Sequence, residues 1–216
     1  MSALADSAIG PCAVRSLGRV DYLETLSAMQ AFTVSRNATT TDQIWLLEHA
    51  PVYTAGLNAR AEHFPLATEI PLIECDRGGQ ITYHGPGQLI AYCLFDLQRL
   101  GIGVRQMVHA MEEAVIELLA GLGITAQRVV GAPGVYVGQR KIAALGLRIR
   151  RGCSYHGLSL NVDMDLTPFN AIDPCGYRGL EVTQLRDLGV DATATELSAP
   201  LAELLTQHIQ SAARRR

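Results

Sequence analysis

Gly134-Val135-Tyr136-Val137-Gly138-Gln139-Arg140-Lys141-Ile142-Ala143-Ala144-Leu145-Gly146-Leu147-Arg148-Ile149-Arg150-Arg151-Gly152-Cys153 is the stretch on which the fold class turns. A short β-rich run reaches a turn at Gly138-Gln139-Arg140, a second run covers Lys141 to Ile149, and a turn at Arg151-Gly152 opens a third, Cys153 to Val162. Connections this short join neighbouring antiparallel strands, so the region reads as a three-stranded meander. Working outward, Ile44 to Glu48 and Pro71 to Cys75 read as further strands, and Gln88 to Leu97 as one buried on both faces. Asp21 to Phe32 carries Tyr22, Leu23, Leu26, Met29 and Phe32 at helical spacing. Val104 to Leu122 repeats the pattern with Val104, Met107, Val108, Met111, Val115, Leu118 and Leu119. A last amphipathic helix is expected over Glu196 to Ile209, followed by a frayed basic tail over 211–216. Helices beside a mixed, largely antiparallel sheet make an α+β fold.

The 216 residues are 48% hydrophobic with a net charge of −3, long enough for a sizeable core and giving no support to bulk nucleic-acid binding. No internal repeat, low-complexity linker or composition break divides them, so one domain over 1–216 is expected. No apolar run approaches the roughly 18 residues a spanning helix needs, and the start lacks a signal-peptide pattern, so neither a membrane nor secretion is implied. Five cysteines without a C-x-x-C pair argue against a disulfide framework and against a zinc site, and fit a reducing, cytoplasmic setting. No metal is expected.

Chemistry concentrates in Arg77-Gly78-Gly79-Gln80-Ile81-Thr82-Tyr83-His84-Gly85-Pro86-Gly87-Gln88. A guanidinium, a phenol, an imidazole and a hydroxyl lie among four glycines and a proline, which predicts a rigid polar loop at the end of a buried strand. The glycine spacing matches neither a P-loop nor a dinucleotide fingerprint, so ATP and NAD binding gain no support. Lys141 is the only lysine beside 17 arginines, at the start of a strand of small and apolar residues, where a compact charge acts strongly on a neighbour. Composition bias by itself explains a lone lysine equally well. Among the cysteines, Cys93 falls in a buried strand, Cys12 near the start, and Cys75 beside Asp76. Cys153 and His156 point to opposite faces of a strand. Cys175 remains, framed by Pro174 and Gly176 on a tight loop of the kind reactive thiols favour, although a plain loop cysteine has the same spacing. Trp45, in a buried strand, reads as core.

The run Arg77 to Gln88, the stretch Ala132 to Lys141, the stretch Leu145 to Gly157, and Asn170 to Tyr177 together resemble the bacterial lipoyl(octanoyl) transferases. The likeness extends less specifically from about Leu17 to Thr183. It implies the fold of the biotin and lipoate protein ligases, and an enzyme that moves an octanoyl group from acyl carrier protein to a lysine of a lipoyl domain. Such domains occur in 2-oxoacid dehydrogenase complexes and in the glycine cleavage H protein. The resemblance implies that Cys175 is acylated through a thioester and that Lys141 lowers its pKa. It implies substrate contacts at Arg77, Gly78, Gly79, Gln80, Ile81, Thr82, Tyr83 and His84, at Ala144, Leu145 and Gly146, and at Gly157, Leu158 and Ser159. The family often has serine at the position of Ala144 and alanine at that of Ser159. No cofactor is implied, since the carrier brings its own phosphopantetheine arm. The chemistry is consistent, because a thiolate exchanges one thioester for another and an amine then forms the more stable amide without ATP. Backbone N–H groups in turns at Leu145-Gly146 or Gly157-Leu158 are candidates for holding the oxyanion. His84 and His156 are candidates for proton transfer, or cap hydrogen bonds. An ATP-dependent lipoate ligase and a non-catalytic binder of acylated domains are the competing readings.

Overall fold

The computed structural model describes residues 12–65, 68–172 and 180–214. In chain order the elements are β1 (Cys12–Val20), α1 (Tyr22–Ser35), β2 (Asp42–His49), β3 (Val52–Ala55), β4 (Leu72–Glu74), β5 (Ile81–His84), β6 (Gln88–Leu94), α2 (Leu97–Leu100), α3 (Val104–Gly121), β7 (Gln127–Val129), β8 (Ala132–Val137), β9 (Arg140–Arg150), β10 (Cys153–Asn161) and α4 (Ala194–Arg214). Among the described residues they make a seven-stranded sheet, ordered β1-β2-β6-β10-β9-β8-β7, and a three-stranded sheet, β4-β3-β5. Every pairing in the large sheet is antiparallel except β1 with β2. The α+β expectation and the β8-β9-β10 meander are therefore observed.

Strand β6 shows why its sequence looked continuously apolar. Leu89, Ala91 and Cys93 join the core beneath α3 and α4, while Ile90, Tyr92 and Leu94 join the one beneath α1. A period-two pattern with both faces covered leaves no water-facing position, and the one amide, Gln88 at the start of the strand, is buried and hydrogen-bonded. Trp45 and Leu47 of β2 face the α1 side, and Ile44 and Leu46 the other. Helix α1 starts where the Asp21 side chain accepts from the Glu24 N–H at 3.0 Å.

Four expectations need correction. Leu23 is exposed, because α1 buries the stripe Tyr22, Leu26, Met29 and Thr33, and Leu23 lies about 100° away from it. Val104 at the start of α3 is also exposed. The helix expected to end near Ile209 continues to Arg214, with Ala213 buried in the core, so 211–214 is no frayed tail; residues 215 and 216 lie outside the described residues. The polar run from Arg77 is only half a loop. Ile81–His84 pairs antiparallel with β3, Tyr53 opposite Tyr83, because Ile81 and Tyr83 alternate into a small cluster with Phe169. Strand β1 was missed because an exposed edge strand carries little apolar pattern. Among the described residues, no helix is long and apolar enough to cross a membrane.

Candidate active site

Three separate segments meet in one narrow cavity of about 60 Å³. Strands β9 and β10 pair Gly146 with Gly157, Leu145 with Leu158 and Ala144 with Ser159, and β6 places Tyr92 opposite Gly157 and Ile90 opposite Ser159. The loop ahead of β5 closes over this floor, tied down by the Gly78 N–H donating to the Leu147 carbonyl at 2.8 Å. The lining holds Arg77, Gly79, Gln80, Ile81, Thr82, His84, Ala144, Leu145, Gly146, His156, Gly157, Leu158 and Ser159, with Tyr22, Ile90 and Tyr92. Gly78 borders an adjoining cavity of about 520 Å³, which shares Gly79, Gln80, Leu145 and Gly146 with the first and opens toward Asn58, Arg60, His63, Val104, Val108 and Pro133. Tyr83 faces away, packed against Tyr53 and Phe169.

Arg77 is buried, and its donors are held by the chain: Nη2 reaches the Thr54 carbonyl at 2.6 Å and Thr54 Oγ1 at 2.9 Å, and Nη1 the Gly78 carbonyl at 3.1 Å. It braces the loop against β3. Leu145-Gly146 and Gly157-Leu158 are not turns, contrary to expectation, but lie mid-strand in β9 and β10. Gly157 answers close packing, since a Cβ there would lie 2.0 Å from the Ala91 carbonyl oxygen.

Lys141 is 3% exposed. It borders a third, very small space that shares Thr82, Ala144 and Ser159 with the narrow cavity and is closed by Phe169 and Val182. Its Nζ donates to the Pro133 carbonyl at 3.1 Å and lies 5.1 Å from the centre of the Tyr136 ring. Its backbone is paired on the far side: Lys141 N–H donates to the Glu181 carbonyl, and Thr183 N–H to the Lys141 carbonyl, each at 2.9 Å. Cys175 lies outside the described residues. The chain that precedes it is held by Phe169 and Ile172 in the Tyr83 cluster, and the chain that follows it returns alongside Lys141.

The four described cysteines differ in their surroundings. Burial pushes the Cys12 thiol up to about 12, and raises those of Cys93 and Cys153 as well. Cys75 donates to the Ala55 carbonyl at 3.4 Å. Cys153 contacts the Arg151 carbonyl rather than His156.

His156 instead meets Asp76, Nε2 to Oδ1 at 3.0 Å. Tyr155 donates its hydroxyl to Asp76 Oδ2, and Gln30 Nε2 donates to the same oxygen at 3.3 Å. Neighbours on a strand normally face opposite sides. Here His156 has φ +59°, and both it and Tyr155 reach one carboxylate. The His156 bond, with Tyr155 and Gln30, holds Asp76 down to about 2. Burial keeps His156 below the usual histidine value despite the carboxylate, so the pair is a neutral imidazole donating to an anion. Deeper in, His84 Nδ1 donates to Gln88 Oε1 at 2.7 Å, while Gln88 Nε2 donates to Asn161 Oδ1 at 2.9 Å. Burial and the nearby His49 hold His84 down to about 3. His49 Nδ1 donates to the Val20 carbonyl at 2.8 Å, leaving Nε2 to accept from the Tyr92 hydroxyl at 2.8 Å. Sequence reasoning missed Asp76, Tyr155, Thr54, Tyr22 and Tyr92. Asp76 had a signal, standing immediately before Arg77. Among the described residues no cluster of His, Cys, Asp and Glu is arranged to hold a metal ion.

Residues 21–206 match the lipoyl protein ligase A/B catalytic domain. An octanoyltransferase of Dechloromonas aromatica is 59% identical over 92% of this chain and 97% of its own length, and one of Thiobacillus denitrificans is 57% identical over 92% and 91%. Among solved structures, a lipoate-protein ligase A bound with ATP superposes with a TM-score of 0.74 at 20% identity, covering 94% of this chain and 92% of that one. A bi-partite lipoate protein ligase of Thermoplasma acidophilum, studied with its E2 lipoyl domain, gives 0.73 at 19%, covering 94% and 90%. The biotin protein ligase of Aquifex aeolicus in complex with biotin and ATP gives 0.61 at 12%, covering 94% and 72%. These structural likenesses show the fold, that of the lipoate and biotin protein ligases, and the sequence identities show the family: the chain belongs to the octanoyltransferases of the lipoyl protein ligase A/B catalytic-domain family.

Proposed function

We propose that the chain transfers an octanoyl group from acyl carrier protein to a lysine of a lipoyl domain through a thioester on Cys175, with Lys141 as its charged partner. The observation that carries this reading is the pairing of Glu181 and Thr183 with Lys141, which returns the chain to that lysine six residues after Cys175. The high identity to octanoyltransferases supports the acyl group and the class of reaction.

The Cys175 thiolate attacks the carrier's thioester carbonyl, the new C–S bond forms, and the bond to the phosphopantetheine sulfur breaks. Lys141 favours the thiolate by charge and gives the departing sulfur a proton. Neutral Lys141 then takes a proton from the incoming lysine amine as that amine attacks the acyl-enzyme, amide forms, and the Cys175 thiolate leaves. Protons balance over the cycle and no ATP enters.

In this reading the octanoyl tail takes the narrow cavity between β9, β10 and the Arg77 loop, where the small residues Gly79 and Ala144 leave room for a chain, while Gly157 and Gly146 let β6 and the Arg77 loop pack closely around it. The wider cavity takes the donor's arm. Gln80 borders both spaces, and its Oε1 is buried with no hydrogen-bond partner among the described residues, which leaves this side chain an acceptor to spare. His156 and Asp76 fix the wall of the acyl cavity. The competing readings separate on one experiment: octanoyl carrier protein and a lipoyl domain are mixed with the enzyme, with and without ATP. Transfer without ATP that is lost in Cys175→Ser supports the proposal. An ATP requirement would favour a ligase, and binding without turnover a non-catalytic binder of acylated carrier or lipoyl domains.

A further inference from the structure

Helix α3 buries an apolar face of Met107, Ala110, Met111, Ala114 and Val115, and in the middle of it stands Glu112, 5% exposed. A carboxylate removed from water needs compensation. Its Oε1 accepts from the Gly134 N–H at 3.0 Å. That N–H belongs to the same peptide unit as the Pro133 carbonyl, which accepts from Lys141 Nζ at 3.1 Å. The described chain has no cis peptide bond, and a trans peptide is planar with its N–H and C=O pointing opposite ways. One rigid plane therefore stands between a buried carboxylate and a buried ammonium, each end polarising the other. Gly134 is suited to this place. Its φ is +137°, and a Cβ would meet the Ala143 carbonyl oxygen at 2.8 Å and Lys141 Cε at 3.0 Å, so a side chain would displace the lysine.

We propose that Glu112 is a positioning residue for acyl transfer: through the Pro133–Gly134 peptide it fixes where the Lys141 ammonium sits. Glu112 touches no reacting atom, and its effect on rate rests on the role of Lys141 proposed above. The geometric claim is independent of that role.

Because the chain has a single lysine, incorporating [¹³Cε]lysine gives one resonance, that of Lys141, in the intact protein. Wild type, Glu112→Gln and Glu112→Leu are titrated by this signal and assayed for single-turnover octanoyl transfer, with Lys141→Met as reference. In Glu112→Leu the resonance moves, its titration midpoint falls by about one pH unit, and transfer slows at least about tenfold. Glu112→Gln, whose amide oxygen still accepts from Gly134, stays within about threefold of wild type. A folded Glu112→Leu with wild-type resonance and midpoint, or a Gln variant as impaired as Leu, overturns the proposal. If the Leu variant does not fold, wild type decides: the Gly134 amide proton must shift with the Lys141 midpoint, and a Gly134 signal blind to that titration overturns the proposal. If Lys141→Met transfers normally, the catalytic reading of Lys141 fails instead, while the resonance still reports on Glu112.

Discussion

Thr183 donates its backbone N–H to the carbonyl of Lys141 at 2.9 Å, forming with the Lys141-to-Glu181 bond a short parallel bridge between β9 and the chain that follows Cys175. Two ladder bonds on a buried lysine fix its backbone, and the Pro133 carbonyl fixes its ammonium. A side chain restrained at both ends loses little further freedom in acting on a neighbour.

Charge and proton delivery by Lys141 should therefore be separable. Lys141→Arg keeps a cation and leaves the Cys175 thiol easily ionised, yet loses most turnover because guanidinium does not readily give up a proton. Lys141→Met loses both. The pH dependence of iodoacetamide alkylation at Cys175, set beside single-turnover transfer, separates the two effects. A methionine variant with unchanged thiol titration and rate removes Lys141 from the mechanism.

Gly157 and Gly78 provide a contrast between packing and cavity shape. At Gly157 a Cβ meets backbone at 2.0 Å, whereas at Gly78 the nearest atom is the Leu147 carbonyl oxygen at 3.3 Å. Gly157→Ala should destabilise by about 2–4 kcal/mol, as overpacking against rigid backbone does, and Gly78→Ala by less than about 1 kcal/mol. Urea midpoints measure both. Equal midpoints would show that β6 and β10 separate easily and that Gly157 is free to serve the cavity alone.

Much of this arrangement could be read in advance. The meander from Ala132 to Asn161 and the two-faced strand β6 follow from hydrophobic period and turn chemistry, which are local. What stayed hidden depends on contacts distant in sequence. Ile81 to His84 became a strand because Tyr53 lies opposite Tyr83, and Leu23 turned outward because tertiary packing chose the Tyr22 stripe. Asp76 and His156 are 80 residues apart, and no spacing rule links them. Glu112 broke the pattern of α3, but a lone carboxylate on an apolar stripe does not announce its partner.

Arg148, Arg150 and Arg151 are exposed at the end of β9 and the turn after it, on a chain of net charge −3. We expect them to steer an acidic carrier or lipoyl domain. Replacing Arg150 and Arg151 with glutamine should slow transfer about threefold or more at low salt and little at high salt. A salt profile parallel to wild type would assign these arginines to solvation alone.

His84, His49 and His156 are all held below the ordinary histidine value, chiefly by burial. A group neutral when folded but protonated when unfolded contributes full stability above its unfolded pKa of about 6.5, and that contribution falls as pH drops toward the folded value. For His84 the window runs from about 6.5 down to about 3. Thermal midpoints should fall steadily through it, and His84→Gln should lessen the slope even if it lowers stability at pH 7. A wild-type midpoint flat from pH 7 to 4 would contradict the buried, neutral histidines.

Acylation of Cys175 is read out by intact-protein mass spectrometry after mixing the enzyme with octanoyl acyl carrier protein in the absence of ATP and of any lipoyl domain. Wild type should gain one octanoyl group, removable by hydroxylamine, localised by peptide mapping to Cys175 and absent in Cys175→Ser. A stable octanoyl thioester on another cysteine such as Cys153 in the Cys175→Ser protein, or no adduct in a wild type that still completes transfer, would contradict it.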